Sequence, residues 1–258
     1  MNNLRNAIRV AKSQSKITPR LTGWLANHNE GVVVEAQERA EKLLELASRG
    51  ESRSGAFHPS QLYRCKREQV FGYFGVEGLK SYNAQLQNIF NDGTWRHIRW
   101  QIMLLNAGII DQVEVKVTMP EYRLTGSMDG LNSEEGWMFE LKGTSAYAKI
   151  KKEGVMPAHK KQIQAYLLAA GLDKAIVVYE DKNRQEWCEF EVDQEQETIN
   201  EVIEILESLN KAIDNNELPE VLNECKKGTG QTFNNCSYSH VCRESKTGGQ
   251  AVKLSKAL

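Results

Sequence analysis

The 258-residue sequence has no apolar run approaching the roughly 20 residues of a membrane-spanning helix. A helical membrane anchor is therefore not expected. Its start, MNNLRNAIRVAKSQSK, lacks the long apolar core of a secretory signal, so the expected compartment is the cytoplasm. Lys and Arg number 33 against 34 Asp and Glu, a net charge of −1. No global basic field announces a nucleic-acid partner, and any such partner must be met by a local patch. There is no internal repeat and no low-complexity block. With 40% hydrophobic and 26% charged residues, the composition is that of a globular chain long enough for one sizeable core.

Hydropathy patterning divides the chain. Residues 1–55 read as a helical lead-in with one amphipathic segment, VVVEAQERAEKLLELASRG, in which Val34, Leu43, Leu44 and Leu46 are apolar and Gly50 is a stop. A second helix is predicted after Pro59-Ser60, carrying Leu62, Cys65, Val70 and Tyr73. A third runs from about Asn83 to Asn106, with an irregularity at Asp92-Gly93. The period then changes to two: DQVEVKVTM, YRLTGSMDGL and GWMFELKG form a three-strand meander. A helix over 158–170, strands KAIVVYE and EWCEFEV, and a helix over about 194–215 complete the regular structure. Residues 223–245 are short, polar and cysteine-rich, and 246–258 read as a mobile tail.

Within the meander, Asp129 and Glu140 lie on adjacent strands, and a short turn can bring both carboxylates to one edge. The strand period places Glu140 and Lys142 on one face with Leu141 behind. Two hard oxygen ligands suit Mg²⁺ or Mn²⁺, and a neighbouring lysine can orient an attacking water or neutralise charge developing on a phosphoryl group. The arrangement suits metal-assisted phosphodiester hydrolysis. Taken alone, Glu-x-Lys on a strand is the pattern of an ion-pair face, and Asp before Gly that of a turn.

The wider set changes that balance. His97 stands upstream in GTWRHIRWQ, and Gln162 and Tyr166 are one helical turn apart downstream. In order the residues read His, Asp, Glu-x-Lys, Gln-x-x-x-Tyr. The chain here resembles the RecB-like and Cas4-like branch of the PD-(D/E)XK nuclease superfamily, over about residues 57–245. Met128 stands where the superfamily's name has proline. The resemblance implies an α/β, restriction-endonuclease-like mixed central sheet flanked by helices, with an N-terminal helical region and a C-terminal cysteine-rich metal-cluster segment. It implies His97, Asp129, Glu140 and the Leu141 carbonyl as metal ligands and Lys142 as the catalytic lysine. Gln162 and Tyr166 would steady that lysine and contact the DNA backbone, with His159 as an accessory. The implied organisation is a lead-in (1–55), a nuclease core (56–222), a cluster segment (223–245) and a tail (246–258), in a bacterial or phage-infected cell.

Five cysteines in a cytoplasmic chain favour ligand or catalytic roles over disulfides. Cys65 lies far upstream of Cys225, Cys236 and Cys242, a spacing that resembles the iron–sulfur staple of Cas4-like and AddB-like nucleases. Four thiolates can hold a [4Fe–4S] cluster or a tetrahedral Zn²⁺. The family's trio often begins with a close Cys-x-x-Cys pair, whereas ten residues separate Cys225 from Cys236 here. Cys188 reads as an ordinary strand residue. Lys149, Lys151, Lys152, Lys160 and Lys161, by themselves a solvated helix surface, become a phosphate-contacting rim, with Tyr147 and Tyr166 available to stack or hydrogen-bond there. The expected activity is a DNA nuclease acting on single strands or duplex ends, with recombination or replication proteins as further partners. The rival is a non-catalytic DNA-binding or assembly module of the same fold.

Overall fold

The computed structural model describes residues 15–27, 37–48, 54–78 and 84–244. The predicted contributions of Val34 and Gly50, and the tail, lie outside these residues. Helices α1 (Thr18–Asn27), α2 (Gln37–Ser48), α3 (Lys66–Tyr73) and α4 (Ala84–Asn106) precede a sheet of five strands. These are β1 (Gln112–Met119), β2 (Leu124–Asn132), β3 (Trp137–Thr144), β4 (Lys174–Asp181) and β5 (Trp187–Asp193). Between β3 and β4 run α5 (Tyr147–Glu153) and α6 (Pro157–Ala170); after β5 come α7 (Gln196–Asp214), α8 (Gln231–Asn234) and α9 (Ser239–Glu244). The sheet order is β1-β2-β3-β4-β5, with β3 and β4 parallel and the other neighbours antiparallel. This is the mixed α/β sheet expected from the sequence.

The two faces of the sheet are covered by different helices. Trp137, Phe139, Leu141, Ile176 and Val178 point to one face and bury against Ile17 and Leu21 from the α1 region and Trp100, Met103 and Leu104 of α4. Met128, Met138, Val177 and Tyr179 point to the other, against Ile163, Tyr166 and Leu167 of α6. Alternation along the strands sorts the two sets. The start of α1 is fixed by Glu189 of β5, whose carboxylate accepts from the amides of Lys16, Ile17 and Thr18 and from the hydroxyls of Ser15 and Thr18. An acid facing the exposed amides of a helix start is favourable. A third cluster joins Phe71 of α3, Leu206 and Leu209 of α7, and the C-terminal residues Tyr238, Val241 and Cys242.

Two local expectations are corrected. The helix predicted after Pro59-Ser60 is broken: a 3₁₀ turn, Pro59–Gln61, ends, and Cys65 is extended (φ −53°, ψ 129°) before α3 begins. The irregularity expected at Asp92-Gly93 is absent, since α4 is continuous through it. A single helical glycine costs only about 1 kcal/mol, and Asp92 pairs with Arg96 one turn on at 2.9 Å.

Candidate active site

The β2/β3 ladder pairs Asn132 with Trp137, Leu131 with Met138 and Gly130 with Phe139, and ends there. The next two opposed residues are Asp129 and Glu140. Beyond the last pair the strands part, and the Asp129 carboxylate, not a backbone carbonyl, accepts the Leu141 amide at 2.7 Å. Asp129 reaches His97 of α4, and Glu140 reaches Gln162 of α6. The fork is where both reach a common space.

On the α4 side, His97 Nε2 lies 3.3 Å from Asp129 Oδ2. Its Nδ1 is 2.8 Å from the Gly93 carbonyl one turn back, so Nδ1 carries a proton and Nε2 is the nitrogen aimed at the fork. Burial opposes a charge on this ring, but Asp129 and the Gly93 carbonyl outweigh it and raise the pKa to about 9. On the α6 side, Lys142 Nζ donates to Glu140 Oε1 at 2.6 Å and to Gln162 Oε1 at 3.0 Å, while Gln162 Nε2 donates to the same Glu140 oxygen at 2.9 Å. The amide of Gln162 thus fixes the lysine and the carboxylate together. Tyr166, one turn further, is buried beside Gln162 and covers Gly126 of β2.

The two carboxylates are held differently. Burial works against ionisation of Asp129, yet His97, Lys142 and the Leu141 amide hold it below the usual carboxylate range. Burial and then the charge of Asp129 push Glu140 up to about 7, against the pull of Lys142. Glu140 is 2% exposed, and its Oε2 has no hydrogen-bond partner among the described residues. A buried, unpaired carboxylate oxygen beside a second carboxylate and an imidazole Nε2 is a donor set that a hard cation would complete. Among the described residues, no three His, Cys, Asp or Glu side chains converge as a finished ion site. Mg²⁺ needs only one or two carboxylates, since it keeps several waters. Leu141 is fully buried, and its amide donates to the Asp129 carboxylate.

The sequence did not single out the residues behind this set. Gln101 of α4 donates to the Asp129 carbonyl at 2.9 Å and to Glu114 at 2.7 Å; Glu114 also accepts from Ser127 at 2.8 Å. Glu114, opposite Asp129 on β1, has φ 50°, a left-handed conformation uncommon for a residue other than glycine. Glu180 of β4 is 1% exposed. It accepts from Arg96 (2.7 Å), Arg99 (2.5 Å) and Trp100 Nε1 (3.0 Å). That anchor fixes the turn of α4 that carries His97. The one signal for it was Arg96, Arg99 and Trp100 at helical spacing, a face requiring a buried acid. His159 stands 2.7 Å from the Tyr179 hydroxyl, which also accepts from the Met156 amide at 3.2 Å.

The lysine rim lies on α5 and α6. Lys149 pairs with Glu153 at 3.8 Å, Lys160 with Glu195 at 2.5 Å and Lys161 with Glu201 at 2.8 Å, while Lys151 sits 5.6 Å from the Tyr147 ring. Lys152 is exposed. Tyr147, expected to stack or hydrogen-bond at the rim, is buried, and Tyr166, for which burial was the equal expectation, is buried too, because α5 and α6 turn these rings into the core.

Four cysteines meet elsewhere. Cys65, Cys225, Cys236 and Cys242 line one cavity of about 20 Å³, between the start of α3 and the C-terminal segment. Burial pushes the Cys65 thiol up and the Cys236 thiol to about 11. Among the described residues these thiols do not converge as a finished ion site; soft sulfur donors would in any case not select Mg²⁺. Cys188 lies instead on β5, opposite Tyr179.

No protein-family model matches the chain, and neither does any curated protein sequence. Solved structures do. LHK-Exo, an alkaline exonuclease from Laribacter hongkongensis, in complex with dAMP, is 17% identical. It aligns over 63% of this chain and 90% of its own, with a TM-score of 0.50. The structure of SSO0001 is 20% identical and aligns over 81% of this chain and 95% of its own, with a TM-score of 0.50. At these identities the likeness is one of fold. No described helix is long and apolar enough to cross a membrane.

Proposed function

We propose that this protein is a metal-dependent DNA nuclease, an exonuclease acting on single strands or duplex ends. The observation that carries the reading is the fork between β2 and β3, where a buried Glu140 oxygen without a partner faces the space shared by Asp129, Lys142 and His97. The fold likeness to an exonuclease structure supports it.

Asp129, Glu140 and His97 would hold Mg²⁺ or Mn²⁺, with the Leu141 carbonyl as a further oxygen. When bound, the cation supplies Lewis acidity toward a phosphodiester and lowers the pKa of water. Lys142 keeps its charge, because Glu140 and Asp129 outweigh the burial that would discharge it. It therefore acts as a fixed positive group that orients the attacking water and stabilises charge developing on the phosphoryl oxygens. Gln162 holds that ammonium in place and limits its rotamers, while Tyr166 closes the floor beneath. The Lys149, Lys151, Lys152, Lys160 and Lys161 rim would contact phosphates, its present ion pairs being exposed and weak enough to exchange.

The four-cysteine cavity is read as the seat of a structural [4Fe–4S] cluster, with Zn²⁺ as the alternative, held by Cys65, Cys225, Cys236 and Cys242. It would tie α3 to the C-terminal segment across a long loop. The nuclease core would then be residues 56–222 and the cluster segment 223–245.

The test is Mg²⁺- or Mn²⁺-dependent degradation of end-labelled DNA by the wild type and Lys142→Ala. Cleavage is expected to fall by at least about 100-fold with DNA binding retained. Equal cleavage by both proteins would sink the role of Lys142. Iron and sulfide in an anaerobic preparation support the cluster, and stoichiometric zinc in a colourless one selects the alternative.

A further inference from the structure

Outside the fork, the structure has an open groove of about 430 Å³ formed where the Pro59–Gln61 turn and the start of α3 meet the first turns of α6 and the middle of α7. Its floor is apolar, from Leu62, Pro157 and Ile205, and three cations stand around it, Arg64, Lys66 and Lys161, with no acidic residue among the lining. On its rim Tyr63 is 51% exposed, and the Arg64 guanidinium lies 5.8 Å from its ring. A large aromatic ring left half in solvent beside three cations has no role in the core.

We propose that this groove holds one nucleotide of a single DNA strand outside the scissile position, its base stacked on Tyr63 and its phosphates met by Arg64, Lys66 and Lys161. This rests on the nuclease reading and extends it to a strand-holding site. The volume falls within the range of about 300–1,000 Å³ typical of small-molecule sites, enough for a nucleotide and far too little for a duplex. Only an unpaired base offers a face to a side chain on the surface. The cations are available. Arg64 pairs with the partly buried Glu68 at 3.0 Å, an i,i+4 contact, and Lys161 with Glu201 at 2.8 Å, both partly exposed. Lys66 donates only to the Ser208 hydroxyl, at 2.9 Å. Such partly exposed pairs are worth little and yield to a phosphate.

The groove also stands in the right place. On α6, Pro157, Ala158 and Lys161 share the face that lines it, while Gln162 and Tyr166 turn toward the sheet and the fork. Pro59, at the start of the neighbouring turn, packs against Gly126 beside Tyr166. One helix thus presents the fork on one side and the groove on the next.

The experiment is fluorescence anisotropy of a short labelled oligothymidylate in EDTA, where nothing is cut, over a range of salt. Wild type is compared with Tyr63→Ala, Tyr63→Phe and Lys66→Ala. In parallel, hydrolysis of thymidine 5′-(p-nitrophenyl phosphate), which fills only the fork, is followed with Mn²⁺. Tyr63→Ala is expected to weaken strand binding about tenfold, with Phe restoring it. Lys66→Ala should lower the salt slope by about 0.7. Both alanine variants should hydrolyse the small diester like the wild type. If the wild type binds the strand and both alanine variants match it, the groove is not the site and the nuclease reading stands. If the wild type binds no strand, the groove proposal falls; loss of diester hydrolysis as well removes the nuclease reading too.

Discussion

Glu180→Gln tests how α4 is held on the sheet. The Glu180 side chain is 1% exposed and accepts from Arg96, Arg99 and Trp100. An amide in its place keeps one acceptor and turns an NH₂ group toward guanidinium donors. Arg99 is 42% exposed, so its share of the loss is small. Arg96 is 7% exposed and would keep only Asp92, itself 55% exposed. Its Nε already has no partner among the described residues. Stranding one member of a buried pair costs about 3–5 kcal/mol; the remaining contact to Asp92 argues for the lower end, about 3 kcal/mol. For a chain of this size that lowers Tm by roughly 6–12 °C. Urea unfolding followed by tryptophan fluorescence measures it, with Trp100 inside the cluster as a reporter. The double variant Arg96→Met/Glu180→Leu leaves neither charge of the pair buried but strands the Trp100 Nε1 donor, so it should recover only part of the loss. A single variant within about 0.5 kcal/mol of wild type, or a double variant worse than the single, would refute the reasoning.

Two further outcomes follow from local geometry. A Cβ at residue 126 would lie 2.8 Å from Tyr166 Cε1 and 3.0 Å from Pro59 Cδ. Gly126→Ala should therefore cost about 1–3 kcal/mol by overpacking and slow DNA cleavage through displaced Tyr166, read by thermal unfolding and a cleavage assay. Burial, and then the charge of Lys142, lower the His159 pKa to about 4. The unfolded chain thus binds more protons between about pH 6.5 and 4, and stability falls as pH drops through that window. Allowing for solvent screening, this amounts to about 1–2 kcal/mol. His159→Gln should flatten that part of the stability profile, and an unchanged slope contradicts the assignment.

How far these features can be read in the sequence depends on the range of the interaction. The strands were legible because alternation in DQVEVKVTM and GWMFELKG is local, and so was the pairing of Glu140 with Lys142 on one face. His97, Asp129, Lys142 and Gln162 were found only as a set, and the structure does bring them together. Glu180 was missed because its partners on α4 lie 80 and more residues away. The left-handed Glu114 was missed because nothing in Val-Glu-Val reveals a distortion imposed by Gln101 and Ser127. The break at Cys65 escaped notice because RCKREQ reads as helix by propensity. Nothing in SQLYRCKREQ marks Tyr63; only its exposure in the fold distinguishes it.

At the fork the Asp129 carboxylate holds the Leu141 amide, a bond that elsewhere in the sheet belongs to the backbone. Hydrogen–deuterium exchange at that one amide therefore reports on the charge state of a side chain. Anything that draws on the Asp129 carboxylate, whether a proton, a cation or an approaching phosphodiester, alters how fast Leu141 exchanges. The centre carries its own spectroscopic probe, readable without any label.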